Sequence, residues 1–216
     1  MGEINRISNF PEARARLVRS YYRIIESGIS PLLFLGITPN AVSAFSLLLS
    51  AFSAILYSEG RFFFGGVFLA LTGFLDTLDG TIARLTGKTT RFGALLDSTL
   101  DRYAEFFIFF GLLIYFRNTP VFFFALFALM GSMMVSYVKA RGQSLGKTRS
   151  VGLMQRPERF FLLIAGSVLN APLGFAFPQY PDIAMTATLA VLAVLSNITA
   201  LRRLYECKKD LESSDG

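Results

Sequence analysis

Six apolar stretches, over about residues 38–58, 62–84, 93–116, 119–140, 158–176 and 181–201, constrain this chain more than any other feature. Each is close to the ~20 residues that a helix needs to cross hydrocarbon. Turn signals separate them: Ser58-Glu59-Gly60, Gly87, Asn118-Thr119-Pro120, Gly142 to Gly146, and Pro178 to Pro181. Thr38-Pro39-Asn40 reads as a helix start, with proline suited to the first turn. Composition agrees: 53% of the 216 residues are hydrophobic, 23 are Phe and only 17% are charged, less than a soluble domain of this size usually carries. The expected fold class is an all-α integral membrane protein with six transmembrane helices.

Before the first span, Pro11 to Gly28 holds Arg14, Arg16, Arg19 and Arg23, with Ala13, Leu17, Tyr21, Ile24 and Ile25 at helical spacing. This predicts an amphipathic helix lying on the membrane surface. The expected organisation is a juxtamembrane segment over 1–30, a six-helix domain over 31–205 and a charged tail over 206–216. No secretory signal pattern is visible in the first 30 residues.

Charge sets the orientation. With six spans, one face carries both termini and the loops after spans two and four, and it collects 18 of the 21 basic residues. The other face has Arg61 and Arg117, while Arg102 falls within the third span. The positive-inside rule places the basic face, and both termini, in the cytoplasm of a multi-pass cell-membrane protein. The net charge of +6 is spread over the ends of apolar runs, which favours anionic headgroups and phosphate-bearing substrates over nucleic acid. The chain has no histidine and one cysteine, Cys207. A histidine-based triad, a His-ligated zinc site and an internal disulfide are therefore excluded.

Spans two and three contain what a lipid-facing helix does not tolerate. Asp76 and Asp79 lie in one, and Asp97, Asp101 and Glu105 in the next. A charge at mid-membrane costs about 2.5–3.5 kcal/mol even on a lenient insertion scale. Asp76, Asp79, Gly80, Ala83 and Arg84 share one helical stripe, and Gly93, Asp97 and Asp101 share another. The short linker predicts antiparallel neighbours whose polar stripes face each other near the cytoplasmic side. Carboxylates so arranged call for cations, and an all-oxygen site suits Mg²⁺ or Mn²⁺. Gly80 and Gly93 leave room for a ligand near the backbone, and Arg84 brings a charge suited to phosphate. Together they point to a metal-bound pyrophosphate substrate.

The pattern Asp76-x2-Asp79-Gly80-x2-Ala83-Arg84-x8-Gly93-x3-Asp97-x3-Asp101 resembles the signature of the CDP-alcohol phosphotransferases, with every position filled. The resemblance implies a transferase that moves the phospho-alcohol group of a CDP-alcohol to a second alcohol and releases CMP. It implies that Asp76, Asp79, Asp97 and Asp101 hold two divalent ions, and that Asp101 is also the general base. Asp79, Gly80, Ala83, Arg84 and Gly93 would seat the CDP moiety. The stretches Ser136 to Arg141 and Val151 to Arg159 look like the branch that makes phosphatidylinositol phosphate or its archaeal counterpart. That likeness gives Lys139 and Arg156, and less directly Arg159 and Arg202, the role of binding the acceptor's phosphate. The donor would be CDP-diacylglycerol or an archaeal ether-lipid analogue. Glycerol 3-phosphate is the competing acceptor, as in a phosphatidylglycerophosphate synthase; serine would leave many cations without a phosphate. The resemblance also suggests a homodimer, and Gly131, Ser132, Ala165, Gly166 and Ser167 could support close helix contact.

Other classes account for less. In a cation transporter the aspartates would mark an ion path, yet residues 119–216 hold no second copy of the motif. An inactive structural subunit would be expected to have lost an aspartate or Arg84. Prenyl-diphosphate enzymes present denser aspartate clusters without the Gly-x2-Ala-Arg tail.

Overall fold

The structure is a computed structural model and describes residues 38–85, 90–146 and 152–212. The segment over 1–30, with its expected surface helix, lies outside the described residues. The described residues form six helices: α1 (Pro39–Ser58), α2 (Phe62–Leu85), α3 (Arg91–Phe116), α4 (Val121–Ser144), α5 (Arg156–Ala176) and α6 (Ile183–Glu212). The described residues contain no strand. All the helices match apolar stretches of the sequence. α6 continues unbroken through the first part of the charged tail.

The helix starts follow local chemistry. Thr38 caps α1, its hydroxyl accepting from the Ala41 N–H at 3.3 Å, and Pro39 opens the first turn. Thr90 caps α3 through the Gly93 N–H at 2.9 Å. Pro157 sits in the first turn of α5, where its missing donor costs nothing. Between α1 and α2 the chain turns at Gly60 with φ +75°, a conformation that glycine reaches without strain.

The helices close into a ring. α1 packs on α2 and α3, α3 on α4, α4 on α6, α6 on α5, and α5 back on α2. The main apolar cluster fills one end: Tyr57, Phe62, Leu69, Phe109, Leu112, Phe116, Met185 and Leu189 are buried there. Very close approaches tighten the ring. A methyl on Gly111 of α3 would come within 2.2 Å of the Ala54 carbonyl of α1. Gly131 meets Ser196 and Asn197, Gly166 meets Thr188, and the Ser167 hydroxyl lies 2.8 Å from the Tyr57 hydroxyl. Gly131, Gly166 and Ser167, three of the small residues expected to serve helix contact, thus do so inside one bundle.

Among the described residues, five helices are long and apolar enough to cross a membrane: α1, α2, α4, α5 and α6. The protein is a multi-pass membrane protein by this measure. α3 is also long enough, at 26 residues, but carries Arg91, Asp97, Asp101, Arg102 and Glu105. Its apolar half, from Phe106 on, contributes Ile108, Phe109 and Leu112 to the core.

One expectation needs correcting. The two aspartate helices are not packed neighbours. α1 lies between them, and α2 and α3 each lean on it instead. The reason is the serine stripe of α1. Ser43, Ser46, Ser50 and Ser53 recur at helical spacing and are all buried, so both helices can come close to α1.

Candidate active site

The aspartates gather at the end of the ring opposite the main apolar cluster, where α2 ends and α3 and α5 begin. α1 fixes the first pair. The Ser43 hydroxyl donates to Asp79 Oδ2 at 2.6 Å and the Ser46 hydroxyl to Asp76 Oδ1 at 2.9 Å. Asp79 is buried, while Asp76 is half-buried. A buried carboxylate is tolerated only when hydrogen-bonded or paired, and the α1 serines meet part of that need. Ser46 reaches Asp76 while also lying 3.3 Å from the Thr72 carbonyl, one turn earlier on α2.

α3 supplies Asp97 and Asp101 one turn apart, both half-buried. α5 supplies the cation. Arg156 Nη1 lies 2.8 Å from Asp101 Oδ1 and also bonds Asp76 Oδ2, so one guanidinium nitrogen ties α2 to α3. Its Cζ lies 4.7 Å from the centre of the Phe160 ring, a cation–π contact. Among the described residues, the Nε and Nη2 of Arg156 are buried with no hydrogen-bond partner. On the outer side, Arg102 Nη1 stands 3.8 Å from Asp101 Oδ2.

A second ion pair lies one turn along α5. Arg159 Nε donates to Glu105 Oε1 at 2.7 Å and Nη2 to Oε2 at 3.0 Å, a bidentate fork. Its Nη1 donates to the Met154 carbonyl at 2.8 Å, and each partner is only 1% exposed.

Asp76, Asp97, Asp101 and Arg156 line a cavity of about 580 Å³ between α2, α3 and α5. Its other walls are Ala70, Phe74, Phe160, Phe161 and Ile164, and Phe74 and Phe161 continue onto the exposed flank of the bundle. One chamber therefore offers carboxylates and a guanidinium at its floor and hydrocarbon at its side.

The donor set is all-oxygen, which fits a hard divalent cation in kind. In arrangement it is open. Among the described residues no three histidine, cysteine or acidic side chains stand together as ligands for one ion. The positive charge between Asp76 and Asp101 is that of Arg156.

The other sequence candidates are distributed unevenly. Gly80 lies on α2 beside Asp79, half-buried. Gly93 takes part in the Thr90 cap, and a methyl there would come 3.0 Å from the cap oxygen. Ala83 and Arg84 fall in the last turn of α2, and their side chains lie outside the described residues. Lys139 and Arg202 are exposed on α4 and α6. Arg159, a candidate phosphate ligand from the sequence, is instead enclosed with Glu105. The sequence reading also missed Ser43 and Ser46. Their signal was a serine at every turn of an otherwise apolar span. Arg203 was missed as well: it is buried and donates to the Val135 carbonyl at 2.8 Å, tying α6 to α4.

Comparisons with known proteins bear on the family of the chain. Residues 36–198 match the sequence profile of the family described as CDP-alcohol phosphatidyltransferase. The phosphatidylinositol phosphate synthase of Mycobacteroides abscessus is 34% identical over 86% of this chain and 84% of its own. The archaetidylinositol phosphate synthase of Pyrococcus horikoshii is 34% identical over 82% of this chain and 87% of its own. The phosphatidylinositol phosphate synthase of Mycobacterium tuberculosis has been solved with CDP-DAG bound. That structure superposes with TM-score 0.76 at 34% identity, covering 86% of this chain and 94% of the other. The same enzyme has been solved in complex with manganese and citrate, again with TM-score 0.76, at 32% identity, covering 85% and 88% of the two chains.

Proposed function

The chain belongs to the CDP-alcohol phosphatidyltransferase family, and from that premise we propose that it transfers the phosphatidyl-type group of a CDP-alcohol to inositol phosphate, releasing CMP. The donor is CDP-diacylglycerol or its archaeal ether-lipid analogue. The observation that carries this reading is the cavity between α2, α3 and α5, with aspartates and Arg156 at its floor and Phe74, Phe161 and Ile164 at its side. A substrate that is half pyrophosphate and half hydrocarbon needs both surfaces in one place.

Asp76, Asp79, Asp97 and Asp101 would hold two divalent ions, Mg²⁺ or Mn²⁺. Bound there, such ions would supply charge neutralisation of the donor's pyrophosphate and polarisation of its phosphorus. Asp101 removes the proton of the acceptor hydroxyl. The acceptor oxygen bonds to the β-phosphorus, the bond from that phosphorus to the bridging oxygen breaks, and CMP departs with the electron pair. Asp79, Gly80, Ala83, Arg84 and Gly93 seat the CDP moiety. Arg156 lines the same cavity and binds the acceptor's phosphate, assisted by Lys139 and Arg202 from α4 and α6.

α3 is the sixth span, its charged half shielded inside the ring and its apolar half completing the crossing. Among the described residues the site end carries most of the basic ones, so that end and both termini face the cytoplasm. The six-helix domain spans 31–205, preceded by a juxtamembrane segment over 1–30 and followed by the charged tail over 206–216. The enzyme works as a homodimer.

The test is CMP release by the detergent-purified protein from CDP-diacylglycerol, with Mg²⁺ or Mn²⁺ and a panel of inositol 1-phosphate, glycerol 3-phosphate, inositol and serine. Release with inositol phosphate alone is expected. Release with glycerol 3-phosphate instead would keep the chemistry and overturn the acceptor. If all acceptors are silent with both diacyl and ether-lipid donors, the transferase reading fails.

A further inference from the structure

Arg156 bonds the very oxygens that the proposed metal site requires. Its Nη1 sits between Asp76 Oδ2 and Asp101 Oδ1, drawing on a carboxylate from α2 and one from α3. A guanidinium and a divalent cation cannot share that pair: both need the same oxygen lone pairs, and two positive charges a few ångströms apart repel. The residue is also built to move. Nε and Nη2 have no partner among the described residues although both are buried, so the side chain spends only part of its bonding capacity on them where it stands. The Phe160 ring, 4.7 Å from Cζ, offers a face along which the guanidinium can slide without losing its contact. Arg159, one turn away, has no such freedom.

We infer that Arg156 and the divalent ion are alternative occupants of the Asp76–Asp101 pair, so that loading the metal releases the guanidinium toward the acceptor's phosphate. Before loading, Arg156 keeps facing carboxylates from repelling one another across the ring. After loading, its freed donors point into the cavity where the acceptor binds. Arg156 is thus a positioning residue that orders the two binding events, metal before acceptor. This inference rests on the metal and acceptor reading of the same site.

Mn²⁺ binding to the full chain in detergent, followed by electron paramagnetic resonance titration without any substrate, tests it. Arg156→Gln removes the competitor and is expected to bind Mn²⁺ at least about tenfold more tightly than wild type, the scale of one charge-assisted hydrogen bond. Arg102→Gln removes a cation that stands 3.8 Å from Asp101 on its other oxygen and not between the carboxylates, and is expected to change affinity less than about threefold. Arg156→Lys keeps the charge and reaches fewer oxygens, so its affinity should fall between wild type and Arg156→Gln; it decides the matter if the glutamine variant does not fold. Equal tightening by Arg102→Gln and Arg156→Gln would reduce the effect to overall charge and overturn the inference. So would Mn²⁺ that binds wild type, is weakened by Asp76→Asn, and is unchanged or weakened by Arg156→Gln; the metal reading would then stand. No Mn²⁺ bound by wild type would overturn the metal reading and the inference with it.

Discussion

Arg156 and Arg159 lie one helical turn apart on α5, and both reach across to acids on α3, yet they make opposite kinds of contact. Arg159 is closed. Its three donor nitrogens all have acceptors, Glu105 answers it with both oxygens, and neither is exposed by more than 1%. Arg156 is open. One nitrogen serves two carboxylates from two helices, two nitrogens serve none, and the residue borders a cavity. A single arginine matches the one charge of Glu105. Arg156 faces Asp76 and Asp101 with Asp79 and Asp97 nearby, an excess of negative charge that one guanidinium cannot neutralise. The first arrangement fastens helices together. The second leaves a site that further cations can complete.

The sharpest way to break this contrast is chemical. Asp101→Asn should lower CMP release by about 10²–10⁴-fold, the usual contribution of a general base, while leaving the thermal unfolding of the protein in detergent close to wild type. A loss of activity matched by loss of folding would make Asp101 a structural partner of Arg156 and erase the distinction.

Next in size is the fastener. Arg159→Ala leaves Glu105 buried without its partner and should cost about 3–5 kcal/mol of stability, read as a lowered unfolding midpoint. Replacing both members with leucine should recover most of that loss, since a buried pair can often be replaced by packing. Arg156→Gln should destabilise less than Arg159→Ala under the same conditions. If the two are equal, the open cluster is a fastener too.

A smaller effect separates substrates. Arg156→Gln should raise KM for inositol phosphate about tenfold, with KM for CDP-diacylglycerol changed much less, as initial rates with each substrate varied in turn would measure. Equal changes for both would move Arg156 from the acceptor to the donor. The mildest change concerns the α1 serines. Ser43→Ala removes the 2.6 Å hydrogen bond to Asp79 and should reduce kcat/KM by about tenfold, the value of a hydrogen bond to a charged group, with folding preserved. No change in rate would show that Asp79 keeps its position without α1.

Much of this molecule is determined by the sequence alone, because the controlling forces are local or periodic. Runs of apolar residues near the length of a membrane crossing fold as helices whatever their neighbours do, and all six appear where the runs lie. Thr38 and Thr90 start their helices through bonds three residues long. The 3.6-residue repeat puts Asp76 with Asp79 on one face and Asp97 with Asp101 on another, so the acid stripes were legible before any fold was known. What the sequence could not decide is which groups meet across the ring. The short loop between α2 and α3 pointed to direct packing, but the serine stripe of α1 drew both helices to itself. Arg156 and Arg159 read alike as basic residues at a helix start. Only the path of α5 past α2 and α3 gives one to an aspartate pair at a cavity and the other to Glu105. A guanidinium reaches several ångströms from its backbone, so its partner is fixed by how helices far apart in sequence cross, and spacing along the chain does not encode that crossing.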